Sequence, residues 1–206
     1  MRTTVVGVVC SAALVLGACG SSKPSASTNP STTSSSGTGS ATTTTTVELS
    51  TTSLPCQPVP VPQTPVKSPV ASGAVLLTGV QELGDGCVDH VIFDFTGKGT
   101  DPPGYTLTYG TPPFAADGSG EPVAVAGSAF VVVKVSPGYG YDFEHGTRTY
   151  KGPKSVPVTH TNHVRSIVET GDFEGVLTWV IGLDSKRAFS VQATGTPRHQ
   201  LVVTIS

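Results

Sequence analysis

Few residues of this 206-residue chain have the type and spacing that hydrolytic or metal chemistry needs. His160 and His163 are three residues apart, but the preceding Val-Pro-Val-Thr indicates a loop or strand rather than the His-Glu-x-x-His helix of a zinc hydrolase. Asp89 and His90 could be two members of a catalytic triad, but they are adjacent. Adjacent strand residues point to opposite faces of a sheet, so these two side chains should not meet. No Gly-x-Ser-x-Gly nucleophile motif occurs. The sequence therefore predicts no catalytic residue, no metal and no cofactor; a small hydrolase that uses His160, His163 or Asp89 is the alternative.

Aromatic side chains offer another kind of chemistry, because their faces can stack on sugar rings. The seven Phe, five Tyr and one Trp all lie between Phe93 and Phe189. Tyr139 and Tyr141 alternate with glycines, and Trp179 is the single tryptophan. These three residues are the candidate ligand-binding residues. A plain turn with packed tyrosines, and a core position for Trp179 on its apolar strand, are the alternatives.

The start of the chain resembles a bacterial lipoprotein signal peptide. Met1-Arg2 provides a basic start and residues 5–16 an apolar run, and Leu16-Gly17-Ala18-Cys19 brings small residues up to a cysteine, as in a lipobox. The resemblance implies that residues 1–18 are removed and that Cys19 is acylated. The lipid would anchor the protein to the extracytoplasmic face of the cell membrane, facing the cell wall. An ordinary secretory signal is the alternative.

Cysteine usage predicts one disulfide. The chain has four cysteines, of which Cys10 leaves with the signal peptide and Cys19 carries the lipid. Cys56 and Cys87 remain in an oxidising compartment, where they can pair only with each other. We expect this disulfide to pin the end of the linker to the folded domain; two free buried thiols are the alternative.

Composition divides the mature chain into a linker, residues 19–70, and a domain, residues 71–206. Residues 21–53 contain 22 Ser or Thr and no aromatic residue, and a Pro-rich stretch follows them. Such a segment buries too little apolar surface to offset the entropy of ordering, so we expect a disordered tether. The formal net charge of −2 excludes the basic footprint of a nucleic-acid-binding protein.

The domain has the pattern of an all-β fold. Alternating or β-branched runs, punctuated by Gly and Pro, predict eight strands and no helix. In the strand at 87–96, Val91, Phe93 and Phe95 should point one way and His90, Ile92 and Asp94 the other. Several short strands of this kind predict a sandwich or a barrel. The predicted strands are 74–83, 87–96, 105–109, 130–135, 164–170, 176–183, 188–194 and 201–205.

Four segments of the domain resemble the AMIN-like domain of actinobacterial envelope lipoproteins. They are Asp89-His90-Val91-Ile92-Phe93-Asp94-Phe95-Thr96-Gly97, Pro103-Gly104-Tyr105, Gly118-Ser119-Gly120-Glu121-Pro122-Val123, and residues 171–183, which contain Gly-Asp-Phe-Glu-Gly and Trp179. The resemblance implies a β-sandwich and a non-catalytic module of the cell envelope. AMIN domains proper direct periplasmic amidases and secretins by binding peptidoglycan, which implies peptidoglycan or another envelope protein as the partner.

Together these features predict a lipid-anchored binding or scaffolding protein of the cell envelope. A protein–protein adaptor without affinity for glycan is an alternative, beside the hydrolase. Residues 71–206 contain nine Lys and Arg against thirteen Asp and Glu, a net charge of −4. Simple charge attraction to acidic wall polymers is therefore excluded as a binding mechanism, and glycan binding would depend on stacking and hydrogen bonds.

Overall fold

The computed structural model describes Cys56, Val61, residues 64–68 and residues 73–206. Within these residues the fold is all-β and contains no helix, and hence no helix that could cross a membrane. Their strands, in chain order, are β1 (Val66–Lys67), β2 (Val75–Gly84), β3 (Asp89–Gly97), β4 (Tyr105–Gly110), β5 (Phe114–Ala115), β6 (Pro122–Val123), β7 (Ala129–Val135), β8 (Gly138–Tyr139), β9 (Tyr141–Asp142), β10 (Thr147–Arg148), β11 (Ser155–Val156), β12 (Val164–Phe173), β13 (Val176–Leu183), β14 (Phe189–Thr194) and β15 (His199–Ile205).

Two large sheets share one apolar core, so the fold is a β-sandwich. The first sheet has the order β1-β4-β7-β13-β12-β11, and the second has the order β14-β15-β3-β2-β8. All pairs in both sheets are antiparallel except β2 and β8, which run parallel. Two small ribbons, β5-β6 and β9-β10, lie outside the large sheets. The prediction of an all-β fold is confirmed.

Alternation along the strands places the core. Val91, Phe93 and Phe95 of β3 are buried, whereas the intervening residues are half-buried on the other face. From the opposite sheet, the fully buried Trp179 meets Phe93 edge-to-face, with ring centroids 5.7 Å apart. Tyr150 contacts the same indole at 5.6 Å and closes the side of the core. Edge-to-face aromatic contacts of this kind add to the hydrophobic burial.

Strand β13 is buried on both faces, as its continuous apolar sequence predicts for a central strand. Its inner face packs on the second sheet, and the segment between β4 and β7 covers its outer face. Thr178 donates a hydrogen bond to Asp117 Oδ2 at 2.9 Å. A side-chain carbon at Gly182 would lie 1.9 Å from the carbonyl oxygen of Ala126, so only glycine admits this backbone.

All eight predicted strands are present, with ends that differ by a few residues. The sequence did not reveal the seven two-residue strands β1, β5, β6, β8, β9, β10 and β11. Strand β1 pairs with β4 and lies before residue 71, where we placed the start of the domain. The folded region therefore includes a short piece of the predicted linker.

The predicted disulfide is confirmed. Cys56 and Cys87 are bonded, with an Sγ–Sγ distance of 2.05 Å, and Cys87 lies in the turn between β2 and β3. The signal peptide, Cys19 and most of the tether lie outside the described residues. Signal cleavage, lipidation and tether disorder therefore stay predictions.

Candidate functional site

Packing of glycines against the core turns the neighbouring tyrosines outward. After β7 the chain crosses to the second sheet, where β8 pairs with the start of β2. A side-chain carbon at Gly138 would lie 3.1 Å from the carbonyl oxygen of Val135. At Gly140 such a carbon would lie 2.9 Å from Asp172 Oδ2, the atom to which the Gly140 N–H donates at 3.0 Å. The Gly-Tyr-Gly-Tyr alternation therefore places both tyrosines on the open side of β8 and β9.

Tyr139, Tyr141 and Phe143 form a group of touching rings, which we call the aromatic cluster. Phe143 lies edge-to-face with both tyrosines, at centroid distances of 5.5 Å to Tyr139 and 5.1 Å to Tyr141. The tyrosines are half-buried, but Phe143 is 74% exposed. Together with the two tyrosines, this ring gives the cluster an accessible apolar surface.

The aromatic cluster borders a surface groove of about 440 Å³. One wall is formed by the start of β2 and by the loop that follows β3, and the other by the β9–β10 turn. A groove of this size can accept a small ligand or one segment of a polymer. The groove is lined by Gly73, Ala74, Leu76, Gly97, Lys98, Gly99, Tyr139, Tyr141, Asp142, Phe143, Glu144 and His145.

Charged side chains form the polar rim of the groove. The Lys98 ammonium donates to Glu144 Oε1 at 2.7 Å and to Oε2 at 2.5 Å, which links the two walls. This hydrogen bond raises the pKa of Lys98. Asp142 Oδ1 accepts the backbone N–H groups of Glu144 and His145 at 2.9 and 3.2 Å, which shapes the turn that carries Phe143.

His145 and Asp142 form a second pair on the rim, with Nδ1 and Oδ2 2.6 Å apart. The side-chain hydrogen bond from Asp142, followed by its negative charge, raises the pKa of His145 above 6.5. The same hydrogen bond lowers the pKa of Asp142. Asp142, Glu144 and His145 could offer ligand atoms within 4.8 Å of one another, but Lys98 already holds Glu144 and brings a positive charge that opposes a metal ion.

The structure brings two of the three predicted ligand residues together and separates the third. Tyr139 and Tyr141 belong to the aromatic cluster. Trp179 has no exposed surface, so it offers nothing to a ligand, and the core position that the sequence also allowed is the one it occupies. Phe143, Lys98 and the rim of the β9–β10 turn were not predicted from the sequence. Phe143 continues the alternation of the two tyrosines, and this is the one sequence signal that could have found it.

Asp89, one residue of the hydrolase alternative, binds backbone N–H groups rather than a histidine side chain. The buried carboxylate of Asp89 accepts three backbone N–H groups, from Asn162 at 2.9 Å, His163 at 2.6 Å and Val164 at 2.8 Å. As the alternation predicts, His90 points to the opposite face, where its Nδ1 lies 3.0 Å from Thr204 Oγ1.

The two loop histidines face different carboxylates. His160 is exposed, and its backbone N–H and Nδ1 lie 3.1 and 3.2 Å from Glu82 Oε1. His163, by contrast, is largely buried: its side chain is only 18% exposed, and its Nδ1 lies 3.6 Å from Asp184 Oδ2. Arg187 makes two hydrogen bonds to Asp184 and holds the pKa of that carboxyl well below its usual range.

Glu169 of β12 is buried. On a regular strand it would share a face with the exposed Arg165, four residues earlier, but Glu169 is only 8% exposed. A register shift between Val164 and Ser166 makes Arg165 an extra residue and reverses the alternation that follows. Glu169 therefore faces inward with Ile167, and burial raises the pKa of its carboxyl.

Comparison with known proteins gives one match. The family model of the AMIN-like domain matches residues 75–206. No curated protein and no solved structure matches the chain.

Proposed function

Since the chain belongs to the AMIN-like domain family, whose domains are associated with the cell envelope, we propose that it is a lipid-anchored envelope protein that binds peptidoglycan through its aromatic cluster. We further propose a binding and scaffolding role without catalysis, without a cofactor and without a metal. The observation that carries the proposal is the exposed Phe143 ring on a groove next to hydrogen-bonding groups.

The chemistry of the groove suits a sugar better than a charged polymer. The faces of Tyr139, Tyr141 and Phe143 offer stacking surfaces, and Lys98, Glu144 and His145 offer donors and acceptors for hydroxyl and amide groups. The charges on the rim are paired with each other, and residues 71–206 carry a net charge of −4. Affinity would therefore come from stacking and hydrogen bonds and depend weakly on salt.

Co-sedimentation of the full-length protein with insoluble peptidoglycan tests the site. We expect Phe143→Ala to weaken binding about fivefold or more, because one stacked aromatic contact contributes roughly 1 kcal/mol beyond its buried area. Phe173→Ala is the matched control: Phe173 is also an exposed phenylalanine, 51% exposed, but lies at the β12–β13 turn outside the groove. Equal loss in both variants, or no sedimentation of the unmodified protein, would refute the proposal.

Lipid anchoring needs a separate test, because Cys19 lies outside the described residues. We expect radiolabelled palmitate to be incorporated into the protein and the Cys19→Ala variant to leave the membrane fraction. A variant that stays membrane-bound would contradict the anchor without affecting the glycan site.

The hydrolase alternative has a direct test as well. It requires a bound metal in the purified protein or an activity that is lost in His160→Ala or His163→Ala. The contacts of Asp89 give it no support, since both of its carboxylate oxygens are occupied by backbone N–H groups.

A further inference from the structure

The four edge strands of the two large sheets differ in length. Sheet edges expose unpaired N–H and C=O groups, and proteins shield them with very short strands, charges, prolines or bulges. Three of the four edge strands here, β1, β8 and β11, contain two residues each. The fourth edge strand, β14, contains six residues, Phe189–Thr194.

Strand β14 lacks the other protective devices. It contains no charged residue, proline or glycine, and it pairs with β15 over its whole length without a register shift. Ser190, Gln192 and Thr194 are exposed, and Val191 and Ala193 are half-buried against the core. The strand is therefore a regularly paired and uncharged template.

The hydrogen-bonding pattern identifies which backbone groups face outward. The Ser206 N–H donates to the Ala188 carbonyl at 3.1 Å, so residues 188 and 206 form a hydrogen-bonded pair. Hydrogen-bonded and non-bonded pairs alternate along an antiparallel ladder. The N–H and C=O groups of Phe189, Val191 and Ala193 consequently point away from β15, and in the part of the chain that the structure describes nothing pairs with them.

Positive charges lie at both ends of this edge. Lys186 precedes β14, with its Nζ 4.9 Å from the centre of the Tyr109 ring, and Arg198 follows the strand; both are exposed, and neither has an ion-pair partner among the described residues. Arg187 is neutralised by Asp184 at 2.7 Å. Two copies of the chain joined through this edge would bring like charges together at both ends, whether parallel or antiparallel, which disfavours a second copy.

We propose that the outer edge of β14 binds an extended segment of another protein, uncharged over about six residues and bearing a carboxylate at each end, which adds a strand to the second sheet. Phe189, Val191 and Ala193 supply the backbone hydrogen bonds, and Lys186 and Arg198 select the charges of the partner. This surface is separate from the groove beside Phe143 and does not depend on glycan binding.

A designed peptide tests the proposal on the full-length, isotope-labelled protein. The probe has the core Thr-Val-Thr-Val-Thr-Val with Asp at each end. We expect it to slow amide hydrogen exchange at Phe189, Val191 and Ala193 by about tenfold or more, as a newly formed ladder does. The same core flanked by Lys should bind about tenfold more weakly, since its charges repel the ends of the edge.

Two controls identify the edge as the binding element. A probe N-methylated at alternate residues, which cannot donate to the edge, should lose the protection while the protein stays unchanged. Val191→Pro removes one outward N–H and leaves the β15 ladder intact, and it should also abolish binding. Phe143→Ala should bind the probe normally, which separates this surface from the glycan site.

Each part of the proposal can be overturned by a different result. No protection by the Asp-flanked probe, or equal protection by the N-methylated probe, overturns the edge site. Equal binding of the Asp-flanked and Lys-flanked probes overturns the charge selection. Protection that appears without peptide and rises with protein concentration would make a second copy the occupant and overturn the assignment to a different protein.

Discussion

Replacing Asp89 by Asn should lower the free energy of unfolding by about 3 kcal/mol. This is a large loss for a substitution that leaves the side-chain volume almost unchanged. Asp89 is fully buried at the start of β3, and its carboxylate holds the backbone of residues 162–164, some 75 positions later. These contacts join the second sheet to the loop that enters β12 in the first sheet.

The magnitude follows from counting acceptors. Asp89 Oδ2 accepts two N–H groups, at 2.6 and 2.8 Å, and Oδ1 accepts one at 2.9 Å. In an Asn side chain the single oxygen can still accept two of these N–H groups, but each of the two hydrogen bonds is weakened by about 1 kcal/mol because the charge is lost. The amide NH₂ of the Asn faces the third N–H group, so that hydrogen bond is lost. Two weakened bonds and one lost bond amount to roughly 3 kcal/mol, or about 10 °C in Tm for a domain of this size.

Urea unfolding at pH 7 followed by tryptophan fluorescence measures the effect, because Trp179 is the only tryptophan and lies in the core. Glu121→Gln is the matched control: it removes the same charge from an exposed position and should change stability by less than about 0.5 kcal/mol. If Asp89→Asn were as stable as that control, the three hydrogen bonds would not stabilise the fold, and Asp89 would need another role.

Three further outcomes are expected. Glu169→Gln should stabilise the protein at pH 7, because burial raises the folded-state pKa of the carboxyl above 4.5. The stability of the unmodified protein should therefore fall as the pH rises from about 4.5 through the folded-state pKa. In unfolding curves, the advantage of Gln should vanish below about pH 4.5. An unchanged or reversed difference would contradict the burial argument. Asp142→Asn should lower the pKa of His145 toward 6.5 in an NMR titration, because it removes the partner that favours the imidazolium; an unmoved titration would show that the pair is not formed in solution. Reducing the Cys56–Cys87 bond should cost up to about 4 kcal/mol in denaturant unfolding, given the 31-residue separation, and no change would mean that it does not constrain the unfolded chain.

Periodic segments made most of the fold predictable. Strands such as β3 and β13 are long enough for alternation or continuous apolarity to appear in the sequence, and both lie where the pattern placed them. Two-residue strands carry no period, so their presence depends on neighbouring strands that sequence reading cannot locate. A single register shift at Arg165 turns Glu169 inward, away from the face that a regular strand would give it.

The candidate site was predictable only in part, for a related reason. Tyr139 and Tyr141 stand out because glycines flank them, and the close backbone packing at Gly138 and Gly140 explains that spacing. The partners across the groove come from distant parts of the chain: Lys98 meets Glu144 across 46 residues. Such long-range contacts leave no local pattern in one sequence.

The order of the two attachments at the N-terminal side of the sandwich has a mechanical consequence. Cys56 is bonded to Cys87 and precedes β1, which pairs with β4 through only two residues. A pull arriving from residues before Cys56 meets the covalent bond first, so the tension enters the domain at the turn between β2 and β3 and bypasses the weak pairing of β1. The disulfide therefore protects the two-residue pairing of β1 with β4 from a force that is applied to the chain before Cys56.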